Sequence, residues 1–251
     1  MRLIAIETSG PRGGFALRDG PTLVDEVFLE GGLRHARDLI SLLRDACNRA
    51  GWDRRRIDVA AVSIGPGSFT GIRIAVTLAK FMAWDSGTKI VAVPSLRALA
   101  ENAPADRRRV ATVLDAKRGG LFASVFERTD EDRAPDAVRA PDAVRARRGS
   151  GGLFSHFVET FGPAQIDPEA LALLLTAPAT ILGHGLAKAR EALAAFDLAP
   201  EDQWDIRPAV VARLGMELAE RSAFADALRL EPVYIRPPEA EEIWERKQKQ
   251  K

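Results

Sequence analysis

A glycine-rich segment at residues 65–73 (GPGSFTGIR) constrains the fold more than any other stretch of this chain. The apolar run before it, at 57–64, predicts a strand, and the pattern after it, at 72–84, predicts a helix. The three glycines allow positive φ or the close approach of another backbone, and Ser68 or Thr70 is suited to cap the helix. The spacing fits neither the dinucleotide-binding fingerprint nor the Walker loop. The segment is therefore either a tight structural turn or a phosphate cradle at a helix N-terminus.

The helix that follows is apolar around almost its whole circumference. One stripe consists of Ile72, Ala75, Val76, Ala79 and Met82, and a second consists of Ile74, Leu78 and Phe81. A helix of this kind is buried on both sides or covers its second face with another subunit. The sequence leaves these two alternatives open.

Strand and helix patterns alternate along the chain, which predicts an α/β fold with mixed sheets covered on both faces. Apolar runs predict strands at 3–6, 15–18, 23–29, 89–93, 110–114, 121–126 and 180–182. Helices are predicted at 36–50, 96–102, 170–175, 186–196 and 208–221, the second of them with Ser95 as N-cap.

Changes in polarity divide the chain into a first lobe at 1–104, a second lobe at 105–236 and a charged tail at 237–251. Within the second lobe we expect a mobile insertion near 129–152, which contains the hexapeptide PDAVRA twice in direct succession. Its residues offer too little apolar surface to form a core of their own.

Composition excludes several classes of protein. No apolar run approaches the length of a membrane span, and the single cysteine, Cys47, excludes an internal disulfide and fits the reducing cytosol. The net charge of +1 gives no global signature of nucleic-acid binding. Basic clusters occur at 54–56, 107–109 and 145–148, and at Lys247, Lys249 and Lys251. They lack interleaved aromatic residues, so we interpret each cluster by itself as solvated surface. The clusters together stay candidates for contact with RNA in a complex.

Several segments together resemble the TsaB (YeaZ) family of bacterial proteins. The most specific is GPGSFTGIRI at 65–74. The others occur in the family's order: IAIETS at 4–9, RHARDLI at 34–40, PSLRALA at 94–100, VLDA at 113–116 and PVYIR at 232–236. The likeness is strong in the first lobe and sparse afterwards. It implies two actin-like lobes of the ASKHA superfamily, with mixed sheets flanked by helices.

The resemblance also implies a function. Members of the family support a TsaD-type transferase that forms threonylcarbamoyladenosine on tRNA, together with a TsaE-type ATPase. We therefore expect a cytoplasmic, noncatalytic subunit that binds the TsaD-type protein, forms a homodimer when alone and meets tRNA only through the complex. The alternatives are an autonomous nucleotide-dependent enzyme of the same superfamily and a stand-alone RNA-binding protein.

The histidines favour the noncatalytic alternative. In the family that this chain resembles, the TsaD-type relative carries a His-x-x-x-His pair on the helix that matches 36–50. Two histidines at this spacing can share a metal. In this chain His35 matches the first histidine, and Leu39 stands in place of the second. His156 and His184 each stand alone, and no local spacing suggests a nucleophile with its base. We therefore predict no catalytic residue, no metal site and no bound cofactor.

Two further sets of candidate residues follow from the resemblance. The first strand ends in Glu7, where the superfamily usually has an Asp beside phosphate and metal. We expect Glu7 to cap a turn rather than bind a metal. Weak candidates for cofactor binding are Thr8, Ser9, Gly65 and Gly67. The helices at 34–49 and 71–84 are expected to meet the partner, with candidate interface residues Leu39, Ile40, Leu43, Cys47, Ile72, Val76 and Ala79.

Overall fold

Two five-stranded sheets, one from each half of the chain, form the framework. The structure, a computed structural model, describes residues 1–29, 35–129, 157–175 and 178–236. The first sheet consists of β1 (Arg2–Glu7), β2 (Gly14–Asp19), β3 (Thr22–Phe28), β4 (Val59–Ser63) and β5 (Lys89–Val93). The second consists of β6 (Arg109–Asp115), β7 (Leu121–Arg128), β8 (Phe157–Ile166), β9 (Thr180–Leu182) and β10 (Asp197–Leu198).

The two sheets share one topology. Their strand orders are β3-β2-β1-β4-β5 and β8-β7-β6-β9-β10. In each sheet the middle strand, β1 or β6, is antiparallel to the strand that follows it and parallel to a later strand, β4 or β9. The loops at the carboxyl ends of β1 and β6 are therefore equivalent positions in the two lobes.

Helices and sheets alternate in layers. Helices α1 (His35–Arg49) and α2 (Phe69–Ser86) cover the outer face of the first sheet, and α3 (Ser95–Ala100) lies between the sheets. Helices α4 (Pro168–Leu174) and α5 (Leu186–Ala189) cover the outer face of the second sheet. Successive side chains of β1 point to opposite faces of the sheet and contribute to two hydrophobic cores. Leu3 and Ala5 lie in the core between the sheets, whereas Ile4 and Ile6 lie in the core under α1 and α2.

Helix α6 (Pro208–Glu220) returns to the first sheet, where it contacts β1, β2, β4 and β5. Gly215 permits this contact, because a Cβ at that position would overlap the Cβ of Ala61. The predicted boundaries at 104 and 236 stay a prediction. Helix α6, however, lies in the range assigned to the second lobe and packs on the first.

The expected α/β fold with mixed sheets flanked by helices is confirmed, and the remaining differences are local. The helix predicted at 186–196 ends at Ala189, and the chain continues from there in turns. Strand β8 was not predicted, since Gly162 and Pro163 interrupt its pattern. The predicted insertion, apart from residue 129, and the tail at 237–251 lie outside the described residues. None of the helices in the described ranges is both long and apolar enough to cross a membrane.

Candidate functional site

The glycine-rich segment packs tightly on the loop that follows β1. The amide of Ser68 donates to the carbonyl oxygen of Ser9 at 2.8 Å, and the hydroxyl of Thr8 donates to the carbonyl oxygen of Gly71 at 2.7 Å. A Cβ at Gly67 or Gly71 would overlap the carbonyl oxygens of Ser9 and Thr8, respectively. Glycine is required at both positions because the two backbones touch. Thr8, Ser9 and Gly67 thus lie together, and their contacts hold two loops against each other.

The fourth cofactor candidate, Gly65, lies on the other side of the same turn. Its φ is +106°, and a Cβ there would lie 2.7 Å from the carbonyl oxygen of Val233. The amide of Gly65 donates to the hydroxyl of Ser95 at 3.1 Å. The prediction that Ser95 caps α3 is therefore wrong. Ser95 is the first residue of that helix after Pro94, and its hydroxyl instead holds the glycine turn.

The N-terminus of α2 uses its amides within the chain. Ser68 is the N-cap, since its hydroxyl accepts from the amide of Gly71 at 3.2 Å and its carbonyl accepts from the amide of Ile72 at 2.9 Å. The helix consequently begins at Phe69, earlier than the predicted Ile72. These internal hydrogen bonds favour the tight structural turn over the phosphate cradle.

Glu7 ends β1 and caps the same loop. Its Oε1 accepts from the amide and the hydroxyl of Ser9, both at 2.7 Å, and from the amide of Gly10 at 2.9 Å. Complete burial raises the pKa of Glu7, and the hydroxyls of Ser63 and Ser9 and the two amides oppose the shift. Neither Oε2 of Glu7 nor the Ser63 hydroxyl makes a hydrogen bond of regular geometry. The carboxyl group is thus enclosed by groups of its own chain.

Asp115 occupies the equivalent position at the end of β6. Its Oδ2 lies 2.7 Å from Nζ of Lys188 and 3.4 Å from Nζ of Lys117, and its Oδ1 accepts from the amide of Lys117 at 2.8 Å. Burial favours a higher pKa for Asp115, but the Lys188 hydrogen bond, the Lys117 amide and both ammonium charges lower it overall. Two lysines therefore stand where a cation would have to approach this carboxylate.

The structure brings no predicted metal ligands together. His35 is the first residue of α1, and Leu39, one turn later, is completely buried in the outer core of the first lobe. Nε2 of His184 lies 2.7 Å from Oδ1 of Asp205 in the second lobe. His156 lies outside the described residues. Across the described ranges, His, Cys, Asp and Glu side chains form no group of three or more that could hold a metal ion.

The helices predicted to meet a partner lie together on one face of the first sheet and contact each other. Most of the predicted interface side chains, however, point into this chain. Buried against its own sheet are Leu39, Leu43, Cys47, Ile72, Val76 and Ala79. Burial also raises the pKa of the Cys47 thiol. Of the predicted set, Ile40 is exposed, with 63% of its surface accessible. The interface stays a prediction, and its candidate residues move to the exposed sides of the two helices.

The exposed side of α2 carries aromatic residues that the interface prediction did not include. Trp84 is 81% exposed and Phe81 is 55% exposed, with their ring centroids 6.0 Å apart. Phe81 belongs to the second apolar stripe of the sequence pattern, whose Ile74 and Leu78 are only partly buried. The second apolar stripe was the sequence feature that could have identified this exposed side of α2, because the chain's own sheet covers it only in part.

Comparison with known proteins agrees with the resemblance. The family described as "TsaD: tRNA N6-adenosine threonylcarbamoyltransferase" matches residues 31–242. The chain is similar to the tRNA threonylcarbamoyladenosine biosynthesis protein TsaB of Bacillus subtilis, with 37% identity over 131 residues, or 51% of this chain and 56% of that protein. TsaB of Escherichia coli is 27% identical over 132 residues, covering 52% of this chain and 57% of that protein. The chain thus matches about half the length of these curated relatives.

The fold is similar to that of a solved protein as well. YeaZ from Pseudomonas aeruginosa superimposes with a TM-score of 0.73 at 21% identity, over 93% of this chain and 99% of that chain. This match extends the likeness from the first lobe to both lobes, at the level of the fold. Because the family match covers most of the sequence and the curated relatives are TsaB proteins, the chain belongs to the TsaD-type family and, within it, to the TsaB (YeaZ) proteins.

Proposed function

We propose that this chain is a noncatalytic subunit that binds a TsaD-type transferase and supports the formation of threonylcarbamoyladenosine on tRNA. Family membership and the names of the curated relatives support this role. In this proposal the chain acts in the cytoplasm, a TsaE-type ATPase joins the complex, and tRNA binds productively only when the complex has assembled.

The observation that carries the partner-binding role is the apolar surface left exposed on α1 and α2. Ile40, Phe81 and Trp84 lie on helices that together cover one face of the first sheet. A soluble chain rarely exposes large aromatic side chains in contact with each other without a binding role. Tryptophan is also enriched among residues that dominate binding energy. We therefore assign these three residues to the partner interface.

The two strand-end carboxyl groups support the noncatalytic role. Nucleotide hydrolysis in a fold of this kind needs carboxylates that are free to hold a cation with the phosphates. Glu7 is enclosed by Ser9 and Gly10, and Asp115 is paired with Lys117 and Lys188. Both groups are engaged by their own chain. Turnover of Mg²⁺–ATP by the purified chain would instead support the alternative of an autonomous enzyme.

Charge substitutions on the exposed surface test the proposal. Ile40→Glu and Trp84→Glu should each weaken binding to the TsaD-type protein of the same organism at least tenfold, because the new charge would be buried without a partner. Leu173→Glu is the matched control, since Leu173 is 82% exposed on α4 in the other lobe. Binding is measured by titration calorimetry after circular dichroism has shown that each variant folds.

The same variants test self-association of the chain. A two-fold dimer employs one patch twice, so light scattering should find a homodimer of the wild-type chain that Trp84→Glu weakens and Leu173→Glu retains. Trp84→Glu and Ile40→Glu chains that bind the TsaD-type protein as tightly as the Leu173→Glu chain would refute the proposed interface.

A further inference from the structure

We infer that this chain has a surface that binds single-stranded RNA. This aromatic–basic surface consists of Phe69, Arg73, Lys117, Lys188, Tyr234 and Arg236. The inference rests on the proposed function for the choice of tRNA as the RNA. The contacts and charges of the surface carry the assignment to single-stranded RNA.

The aromatic part lies at the beginning of α2. The rings of Phe69 and Tyr234 are in tilted contact, with centroids 4.9 Å apart and an interplanar angle of 33°. The guanidinium carbon of Arg73 lies 5.1 Å from the Phe69 ring centre. Phe69 is 38% exposed and Tyr234 is 41% exposed. Each ring therefore combines a supporting contact with an accessible surface. Trp84 begins the last turn of the same helix about 22 Å away, at 1.5 Å per residue, so the aromatic pair and Trp84 lie at opposite ends of α2.

The basic part continues from Tyr234 into the second lobe. Arg236, two residues after Tyr234, donates from Nη1 to the carbonyl oxygen of Ala116 at 3.2 Å. Lys117 follows Ala116 directly, and it shares the Asp115 carboxylate with Lys188. The C-terminal segment thus joins the aromatic pair to the β6–β7 turn. Along this path Lys117 and Lys188 share the Asp115 carboxylate, and Arg73 and Arg236 add two further cationic side chains.

This combination suits a nucleic-acid strand whose bases are unpaired. Arginine and lysine side chains hold the phosphates, while bases stack on exposed aromatic rings. Paired bases in an A-form helix do not present their faces in this way. The lysines stand on a turn and a short helix with their side chains 78% and 57% exposed, which suits an extended strand more than an enclosed nucleotide.

The aromatic–basic surface uses basic residues that belong to none of the clusters noted in the sequence. For those clusters, which lack aromatic neighbours, solvated surface stays a prediction. Phe69 and Tyr234 are far apart in the chain, and only the fold brings them together beside Arg73 and Arg236. The clusters at 54–56 and 107–109 contribute no residue to the aromatic–basic surface.

Fluorescence anisotropy with the full chain tests the inference. The probes are a labelled unstructured RNA oligonucleotide and the same sequence as a duplex, titrated between about 50 and 200 mM salt. The chain should bind the single strand more tightly than the duplex. Tyr234→Ala should lower single-strand affinity about tenfold, whereas Tyr234→Phe, which keeps the stacking ring, should retain it. Phe69→Leu provides a second test of stacking.

The salt dependence tests the phosphate contacts. Each neutralised phosphate contributes about 0.7 to the slope of log affinity against log salt for single strands, so Lys117→Gln/Lys188→Gln should reduce the slope by about 1.4. Arg54→Gln/Arg56→Gln removes two exposed charges from the first lobe and should leave the slope unchanged.

The outcomes separate this inference from the proposed function. Equal single-strand affinity in Tyr234→Ala, Phe69→Leu and wild type overturns it, and so does preference for the duplex. Loss of binding to the TsaD-type protein in these variants with unchanged RNA affinity would make the surface a protein-docking site and also overturn it. Loss of RNA affinity with partner binding retained supports it. Failure of Trp84→Glu to affect partner binding refutes the proposed interface alone.

Discussion

Replacing Glu101 with Gln should destabilise the fold strongly, because Glu101 joins two buried or half-buried arginines between the lobes. The residue follows α3, and its side chain is 8% exposed. Arg97, one turn earlier and 6% exposed, forms an ion pair with Oε1. Arg213 of α6 lies 2.5 Å from Oε2 through Nη2. The carboxylate therefore connects a helix between the sheets to the helix that returns to the first sheet.

The size of the destabilisation follows from the arginine charges that Glu101→Gln leaves without a carboxylate. Removing one member of a buried ion pair costs about 3–5 kcal/mol, since the remaining charge stays desolvated. Arg213 is 34% exposed, so water can solvate part of its charge, and we expect the lower end, about 3 kcal/mol. That is a large fraction of the roughly 5–15 kcal/mol that stabilises a native protein. With a urea m-value of about 2 kcal/mol/M, the midpoint should fall by roughly 1.5 M.

The effect should depend on pH in a defined direction. Burial favours a higher pKa for Glu101, but the charges of Arg97 and Arg213 lower it below its ordinary value of 4.5. A carboxyl group with a lowered folded-state pKa contributes stability above its unfolded pKa, and that contribution is lost as pH falls through the folded-state value. The difference between wild type and Glu101→Gln should therefore be full at neutral pH and shrink in acid.

Urea unfolding followed by circular dichroism measures the effect. Glu217→Gln is the comparison variant, because Glu217 pairs with the same Arg213 at 2.7 Å but is 25% exposed, against 8% for Glu101. Water screens this partly exposed pair more than the buried one, so Glu217→Gln should cost less than Glu101→Gln. If Glu101→Gln and Glu217→Gln unfold at the same urea concentration, the reasoning from burial is refuted.

Two other substitutions test separate parts of the structure. Glu7→Gln keeps the Oε1 acceptor and removes the charge. Because burial raises the pKa of Glu7, the wild-type contribution is full below 4.5 and is lost as pH rises through the folded-state value. Glu7→Gln should therefore melt above wild type at neutral pH and close to it in acid, and parallel melting curves across pH would contradict this. Deleting residues 135–148, which lie outside the described residues, should change stability by about 0.5 kcal/mol or less, since loop length affects closure entropy only logarithmically. A calorimetric loss above about 2 kcal/mol would show that this segment packs on the protein.

The sequence by itself determined the features that depend on neighbouring residues. The sequence offered Ser68 or Thr70 as the cap of α2, and Ser68 caps it through contacts within the next few residues. The three- and four-residue spacing of α1 and α2 predicts both helices, although α2 begins three residues before the predicted start. The glycines at 67 and 71 already indicated close approach, although the sequence did not show what approaches. The alternation of apolar residues in strands and their 3.6-residue period in helices depend on neighbouring residues. They can therefore be recognised without knowing the fold.

Tertiary structure decided which groups meet. Periodicity marks an apolar stripe but does not tell whether its own sheet or a partner covers it. Val76, predicted to face a partner, is buried in its own chain, and Trp84, for which no role was predicted, is exposed. The hydroxyl of Ser95 could serve a helix cap or the amide of Gly65 until the fold placed that amide 3.1 Å away. The ring contact between Phe69 and Tyr234 likewise joins distant segments of the chain. Such contacts depend on the packing of whole layers, which no window of neighbouring residues contains.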